Sequence, residues 1–123
     1  MPNLATVTSI LPRTVGKILS PSGTSVLMSE MTSTNTYKVT SILVANTSGA
    51  NITTRVYLYY YGVENYYLAY DLPVPPYSTV VVSSKDTAFY LDSNNQYELY
   101  ASYSGANASA TMIITYESIN TSA

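Results

Sequence analysis

The stretch from Arg55 to Asp71, RVYLYYYGVENYYLAYD, decides the fold of this 123-residue chain. It holds seven of the fourteen tyrosines and reads as two strands joined by a turn over residues 62–65. Side chains alternate between the two faces of a strand, so each strand presents two different sets. The faces predicted for the first strand are Val56, Leu58 and Tyr60 against Arg55, Tyr57, Tyr59 and Tyr61. Those predicted for the second are Tyr66, Leu68 and Tyr70 against Tyr67, Ala69 and Asp71.

Both faces of this hairpin carry large amphipathic rings, which a freely solvated sheet face does not need. One face is expected to enter a core, and the other to meet a second layer or another molecule. Three interpretations of the surplus face stay open: internal packing, a subunit interface anchored by tyrosine, and a platform on which rings stack against sugars. The candidate interface residues are Arg55, Tyr57, Tyr59, Tyr61 and Tyr67.

The remaining sequence also consists of β-prone segments that alternate and are separated by turns. In residues 36–46 the predicted faces are Tyr37, Val39, Leu43 and Ala45 against Lys38, Thr40, Ile42 and Val44. In residues 96–102 the residues predicted to point inward are Tyr97, Leu99 and Ala101, with Tyr100 outward. In residues 108–117 one face is Ala110, Met112, Ile114 and Tyr116, with Ile113 opposite. About eight to ten short strands without a sustained 3.6 period predict an all-β antiparallel β-sandwich, jelly-roll-like or Ig-like, with minimal helix.

Prolines and small polar residues divide the chain. Leu11-Pro12 and Ser20-Pro21-Ser22-Gly23 are each predicted to be a turn or a crossing between sheets, because proline removes a ladder donor. Leu72-Pro73-Val74-Pro75-Pro76 is predicted to be a stiff connector from one sheet to the other. The length suits a single domain. Its predicted parts are an N-terminal arm with early strands (1–35), a sandwich core (36–119) and a C-terminal tail (120–123).

Composition narrows the function classes. Only 10 % of residues are charged, and the net charge of −2 comes with five scattered basic residues instead of a basic patch. Nucleic acid is therefore not expected as a partner. Low charge with many tyrosines favours a surface partly covered by neighbours. No apolar run is long enough for a membrane span, and no signal peptide is recognised, so we expect synthesis and assembly in a cytosol.

No catalytic, cofactor or metal site is predicted. Histidine and cysteine are absent, which removes the commonest general base, the thiolate nucleophile and the commonest metal ligands. The segment Asp92-Ser93-Asn94-Asn95 superficially matches the start of a calcium loop, but its twelfth position is Tyr103 where a bidentate acid is required. This segment is therefore predicted to be a turn stabilised by its own Asp and Asn side chains. The acidic residues are interpreted as solvated charges, and the chain as non-enzymatic.

Four further segments carry a resemblance to a known group of proteins. They are Tyr37–Asn46 (YKVTSILVAN), Val74–Ser78 (VPPYS), Phe89–Leu91 (FYL) and Ile114–Glu117 (ITYE). Through these four segments and their order, the chain resembles the small β-sandwich structural proteins of tailed bacteriophages, particularly those of phages that infect marine bacteria and cyanobacteria. The chain is richer in tyrosine than that pattern, and its first thirty residues match it poorly.

The resemblance implies a virion structural protein that binds other virion proteins and is assembled in the host bacterial cytoplasm. The first hypothesis is a capsid decoration or cement protein that binds the shell through an aromatic face and the N-terminal arm. A homo-oligomer, with a trimer favoured, would suit a symmetric shell. The alternatives are a neck, tail, baseplate or fibre accessory protein, and a carbohydrate-binding module that recognises host surface glycans through Tyr59, Tyr61 and their neighbours.

Overall fold

The structure is a computed structural model that describes residues 7–27, 35–60, 64–92 and 97–121. The described residues form nine strands and one 3₁₀ turn at Lys85–Thr87. The strands are β1 (Val7–Ile18), β2 (Thr24–Leu27), β3 (Asn35–Asn46), β4 (Ile52–Tyr60), β5 (Glu64–Val74), β6 (Thr79–Ser83), β7 (Phe89–Asp92), β8 (Tyr97–Ser104) and β9 (Ala110–Thr121). Every pairing is antiparallel, which confirms the predicted all-β antiparallel sandwich.

Two sheets make up the sandwich. One has the order β1-β9-β3-β6, with β7 also paired to β3, and the other has the order β2-β8-β4-β5. β6 and β7 pair with consecutive stretches of β3, so together they occupy one edge position. The first strands of the chain thus pair with the last ones, and the pairing proceeds inward to the two middle strands, with successive pairs alternating between the sheets. This is the strand order of a jelly roll, and its pairs are β1·β9, β2·β8, β3·β6/β7 and β4·β5. An Ig-like domain would distribute its strands as ABED and CFG.

Aliphatic side chains from both sheets fill the space between them. The largest fully buried apolar side chains are Ile42, Leu91, Leu99, Met112, Ile114, Val39, Val44, Val56 and Val74. Alternation predicted several of these positions correctly. Val56 is buried and Leu58 packs against the core on β4, Leu99 and Ala101 are buried on β8, and Ile113 is exposed on β9 between buried neighbours. The inward positions predicted for Tyr60 and Tyr97 lie outside the described side chains.

The faces predicted for β3 are wrong beyond its first half. Tyr37 and Val39 are buried as one set, but Ile42 and Val44 are buried with them, although alternation placed them on the opposite face. The register against β9 shifts between Val39 and Ser41, which marks a β-bulge at Thr40. A bulge inserts one unpaired residue and so reverses which residues point inward after it. The Thr40 hydroxyl donates to the Thr115 carbonyl across the irregularity, at 3.0 Å.

Two predictions from proline also need correction. Leu11-Pro12 is no turn, because β1 continues through Pro12, which pairs with Glu117. β1 is an edge strand, where proline is tolerated since its missing N–H can face solvent. The connector predicted over 72–76 is shorter than expected. β5, another edge strand, runs through Pro73 to Val74, and the chain then crosses between the sheets at residues 75–78.

Other predicted features lie partly outside the described residues. Ser20-Pro21-Ser22-Gly23 is confirmed as the turn in which the chain passes from β1 to β2 and so between sheets. The hairpin turn predicted over 62–65 includes residues 62 and 63, and the turn predicted over 92–95 includes residues 93–95, all outside the described ranges. The same holds for residues 1–6 and 28–34 of the predicted N-terminal arm and for the last two residues of the tail.

Candidate functional site

Five tyrosines form a continuous row across the outer face of the β2-β8-β4-β5 sheet. In order of contact this tyrosine row is Tyr59, Tyr100, Tyr57, Tyr67 and Tyr70. Successive ring centroids are 5.1, 5.8, 5.3 and 4.8 Å apart. Tyr57 is the directly opposed partner of Tyr100 on β8 and of Tyr67 on β5, so the pairing of three strands fixes the centre of the row.

The ring geometries are those that aromatic pairs prefer. Tyr57 and Tyr100 are stacked with planes 17° apart, and the offset follows from their 5.8 Å separation. Tyr67 and Tyr70 meet edge to face at 87°. Such pairs contribute about 0.5–1.5 kcal/mol beyond the area they bury. The row is therefore held in one arrangement before any partner arrives, while Tyr67 and Tyr70 remain 42 % and 59 % exposed.

An ion pair closes the row at the β5 edge. The Arg55 guanidinium carbon lies 4.2 Å from the centroid of the Tyr70 ring. Arg55 also donates from Nε to Asp71 Oδ1 at 2.7 Å and from Nη2 to Asp71 Oδ2 at 3.3 Å. The hydrogen bond from Arg55 holds the pKa of the Asp71 carboxyl below its usual range, and the same bond raises the pKa of Arg55. Both groups stay ionised at neutral pH, although both are solvent-exposed.

Irregular pairing of β5 brings Tyr70 and Asp71 to this face. The register of β4 against β5 shifts on both sides of Val56, which pairs with Ala69 while Tyr57 pairs with Tyr67. Asp71 has a left-handed backbone with φ of 52°, a conformation that aspartate adopts more readily than most residues. Simple alternation had placed Tyr70 opposite to Tyr67, and this prediction is wrong. The shifted register turns both rings to the outer face, with Ala69 against the core.

The structure brings together most of the residues singled out in the sequence. Tyr57, Tyr59 and Tyr67 belong to the tyrosine row, and Arg55 joins its end. Tyr61, also named as a candidate, lies outside the described residues.

Three members of the surface were missed as candidates. The outward position of Tyr100 was readable from alternation on β8, but its place beside Tyr57 depends on strand order. Tyr70 and Asp71 had no usable signal, because their orientation depends on the bulges of β5.

A polar pocket lies beside the ion pair. Its volume is about 350 Å³. The lining residues are Pro21, Thr53, Arg55, Asp71, Ser102, Tyr103 and Ser104. Thr53 pairs with Ser104, and Arg55 with Ser102, so β4 and β8 supply the floor from one face of the sheet. Pro21, from the turn between β1 and β2, and Asp71, from β5, stand on opposite sides of this floor.

A line of small and aliphatic residues crosses the outer face of the other sheet. Gly16 pairs with Ile113, Ile113 with Leu43, and Leu43 with Val81, so these four residues form a line across four strands. Ile113 and Val81 are exposed, and Ile18 at the neighbouring edge position is 81 % exposed. We call this line together with Ile18 the aliphatic stripe. The molecule thus presents two chemically different surfaces, one on each sheet.

The described residues hold no group of three or more acidic side chains that could bind a metal ion. In the same part of the chain, no helix is long and apolar enough to cross a membrane.

The Tyr57 hydroxyl at the centre of the tyrosine row is neutral. Burial, and then the neighbouring Tyr67 and Tyr59, raise the pKa of the Tyr57 hydroxyl, so this hydroxyl is a neutral hydrogen-bond donor and acceptor at physiological pH.

Comparisons of the chain with protein-family models, with curated proteins and with solved structures found no match.

Proposed function

We propose that this chain is a non-enzymatic structural protein of a tailed bacteriophage virion that attaches to another virion protein through the tyrosine row. One observation carries the proposal: five tyrosines are ordered against one another on an outer sheet face, and two of them, Tyr67 and Tyr70, are 42 % and 59 % exposed. Tyrosine is enriched at interfaces and among the residues that dominate their binding energy. Rings that are already positioned lose little side-chain entropy when a partner covers them.

The fold and composition support a role in binding. Jelly rolls are common in viral capsid and lectin domains, although a fold alone does not assign a function. A chain with 10 % charged residues suits a protein whose surfaces are covered by neighbours. The four segments that resemble phage structural proteins lie in β3, in the crossing from β5 to β6, in β7 and in β9.

The place proposed on the particle is the capsid shell, where the protein acts as a decoration or cement protein. A homo-oligomer, with a trimer favoured, matches the symmetry of such a shell, and the aliphatic stripe offers a surface for self-association. A neck, tail, baseplate or fibre position is the alternative. The two differ in copy number, so quantitative mass spectrometry of purified particles separates them. Abundance within several-fold of the major capsid protein supports decoration, a much lower ratio supports the alternative, and complete absence contradicts both.

The tyrosine row is tested by Tyr67→Ala in a binding assay with purified particles. Tyr67 contacts both Tyr57 and Tyr70, so its removal breaks the row at its exposed part. A tyrosine of this kind is worth about 2 kcal/mol or more, and we expect attachment about 30-fold weaker. The loss of two ring pairs should also lower stability by about 1–3 kcal/mol, so binding is compared at a temperature at which both proteins are folded.

Tyr77→Asn provides the matched control. Tyr77 is the most exposed tyrosine of the described residues at 78 % and lies outside the row, on the crossing between the sheets. Its φ of 53° suits asparagine. Unchanged attachment of Tyr67→Ala, or an equal loss in both variants, would refute the assignment of the row as the attachment surface.

Residues 1–6 are the part of the predicted arm that precedes the described pairing of β1 with β9, which begins at Val7. If the arm helps to hold the shell, deletion of these residues weakens attachment. Full attachment by the shortened chain would leave the tyrosine row as the attachment surface and remove the arm from the proposal.

A further inference from the structure

The pocket beside the tyrosine row has the chemistry of a small-ligand site. At about 350 Å³ it lies at the lower end of the range of small-molecule pockets, about 300–1,000 Å³. It therefore suits a terminal sugar unit or another small polar ligand. Thr53, Ser102 and Ser104 place hydroxyl groups on its floor, and each hydroxyl can donate and accept.

Planar charged groups form one side of the pocket and are already oriented. Arg55 uses two of its five N–H donors on Asp71, so other donors remain for a ligand. The Asp71 carboxylate accepts two hydrogen bonds from Arg55 and keeps further lone pairs. Each group holds the other in place, and the Tyr70 ring packs against the guanidinium at 4.2 Å. A ligand that bonds to both groups would find them preorganised, which reduces the entropy lost on binding.

The charges of the lining select the class of ligand. Arg55 and Asp71 are the two charged residues of the lining, and their formal charges cancel. A free phosphate or carboxylate would meet Asp71 as well as Arg55, and an ammonium group would meet Arg55 as well as Asp71. A neutral ligand with adjacent hydroxyls both donates to a carboxylate and accepts from a guanidinium. Its C–H surface can rest against the Pro21 ring.

We propose that this pocket binds a neutral saccharide, with Arg55 and Asp71 bonding to adjacent hydroxyls of one sugar ring and the floor hydroxyls bonding to the others. The site is separate from attachment through the tyrosine row, and neither proposal depends on the other. This pocket differs from the glycan surface predicted around Tyr59 and Tyr61, because Tyr59 is not among its lining residues. The expected ligand is a terminal sugar of a surface glycan.

The first experiment is a glycan array probed with the full-length protein, followed by saturation-transfer NMR with the free monosaccharides glucose, galactose, mannose and N-acetylglucosamine. We expect retention on arrayed glycans with neutral terminal sugars and transfer from protein to at least one of these monosaccharides. Retention confined to sialylated or sulfated glycans would overturn the proposal, because it would show that Asp71 does not exclude anions. Absence of binding in both formats would overturn it as well.

Matched substitutions locate the binding. Arg55→Lys keeps the charge but loses the planar fork, and Ser102→Ala removes one hydroxyl from the floor. Each is expected to weaken saccharide binding about tenfold or more, which corresponds to the loss of one or two good hydrogen bonds. Arg13→Ala is the control, because Arg13 is an exposed arginine on β1 of the other sheet. Equal affinity in all three variants would place the saccharide elsewhere and refute the site.

The same variants separate this proposal from virion attachment. Ser102→Ala is expected to bind particles normally, whereas Tyr67→Ala is expected to bind the saccharide within about threefold of the unmodified protein, since Tyr67 is not in the pocket lining. A variant that loses particle attachment but still binds the saccharide has a damaged attachment surface. A variant that loses saccharide binding but still attaches to particles has a damaged pocket.

Discussion

Asn46 holds together the end of the sandwich where β3, β5 and the crossing to β6 meet, and its replacement gives the sharpest test of the fold. The side chain is 2 % exposed. Nδ2 donates to the carbonyl oxygens of Ala50 at 2.6 Å and Val74 at 3.1 Å. Oδ1 accepts from the Ser48 backbone N–H at 3.0 Å and from the Ser48 hydroxyl at 2.7 Å. One amide group therefore links the loop after β3 to the last residue of β5 in the opposite sheet.

The magnitude follows from these four hydrogen bonds. Each contributes about 1 kcal/mol net, and a buried group left without a partner costs about 1–3 kcal/mol. Asn46→Ala removes this donor from the Val74 carbonyl, and water cannot readily replace it because Val74 is 1 % exposed. Ser48 is only partly buried and can bond to water, so its share of the loss is smaller. We expect a destabilisation of about 3 kcal/mol, which lowers the melting temperature of a domain of this size by roughly 10 °C.

Asn46→Asp separates the donor from the acceptor side of this network. It retains both acceptor contacts to Ser48 but directs a carboxylate oxygen at two carbonyl oxygens. Burial and these oxygens raise the pKa of the introduced carboxyl above its unfolded value of about 3.9. A raised folded pKa means that the favourable contribution is present at acid pH, where the protonated group can donate, and is lost as pH rises through the folded pKa.

Urea unfolding followed by circular dichroism measures both variants. At pH 7 the aspartate variant should be at least as destabilised as the alanine variant, and it should recover relative to the unmodified protein as the pH is lowered toward 4. An alanine variant within about 0.5 kcal/mol of the unmodified protein, which is the range of ordinary surface changes, would refute the linking role of Asn46. An aspartate variant without pH dependence would refute the donor geometry.

Two further predictions concern backbone space and surface charge. Gly105→Ala should destabilise the protein by about 1–3 kcal/mol, because the new Cβ would lie 2.9 Å from the Ile52 side chain. Gly16→Ala should change stability by less than about 0.5 kcal/mol, since the nearest atom to its new Cβ is 4.0 Å away. Thermal unfolding of both variants measures the difference, and equal effects would contradict the local packing at Gly105. The pKa of the Asp71 carboxyl should lie below its ordinary range in an NMR pH titration and should rise toward that range in Arg55→Ala. A lowered folded pKa adds stability above the unfolded pKa, and this stability is lost as pH falls, so the contribution of the pair should disappear only on strong acidification. A titration midpoint of Asp71 that is the same with and without Arg55 would rule out the ion pair in solution.

Alternation predicted the core-facing residues of the strands that contain no inserted residue there, even where a partner strand is bulged. Val56 and Leu58 on β4, Leu99 on β8, and Met112 and Ile114 on β9 all point inward as expected. A period of two is a property of the extended backbone, so any strand without an inserted residue obeys it wherever its partners lie. This made the all-β class and much of the core readable from the sequence.

The remaining errors came from features that depend on a partner strand. The bulge at Thr40 exists opposite β9, and the shifted residues of β5 exist opposite β4, so neither is visible in one segment alone. The turn predicted at Pro12 is wrong for the same reason, because proline inside a regular strand requires a sheet edge, and edges are defined by the complete strand order. The sequence therefore predicted Arg55, Tyr57, Tyr59 and Tyr67 as members of the candidate surface, but it did not predict Tyr70 and Asp71.

The position of the tyrosine hairpin shows how one segment can contribute to the fold and also carry the proposed attachment surface. β4 and β5 are consecutive, adjacent strands, and every other pair in the nested order joins strands farther apart in sequence. The hairpin can therefore form from local contacts, before the long-range pairs that cost more loop-closure entropy. Val56 and Ala69 face the core, while Tyr57 and Tyr67 face outward as a directly opposed pair. Because the outward rings do not take part in filling the core, their identity is free to follow the requirements of a partner, and the two irregularities in β5 widen that surface without disturbing the packing beneath it.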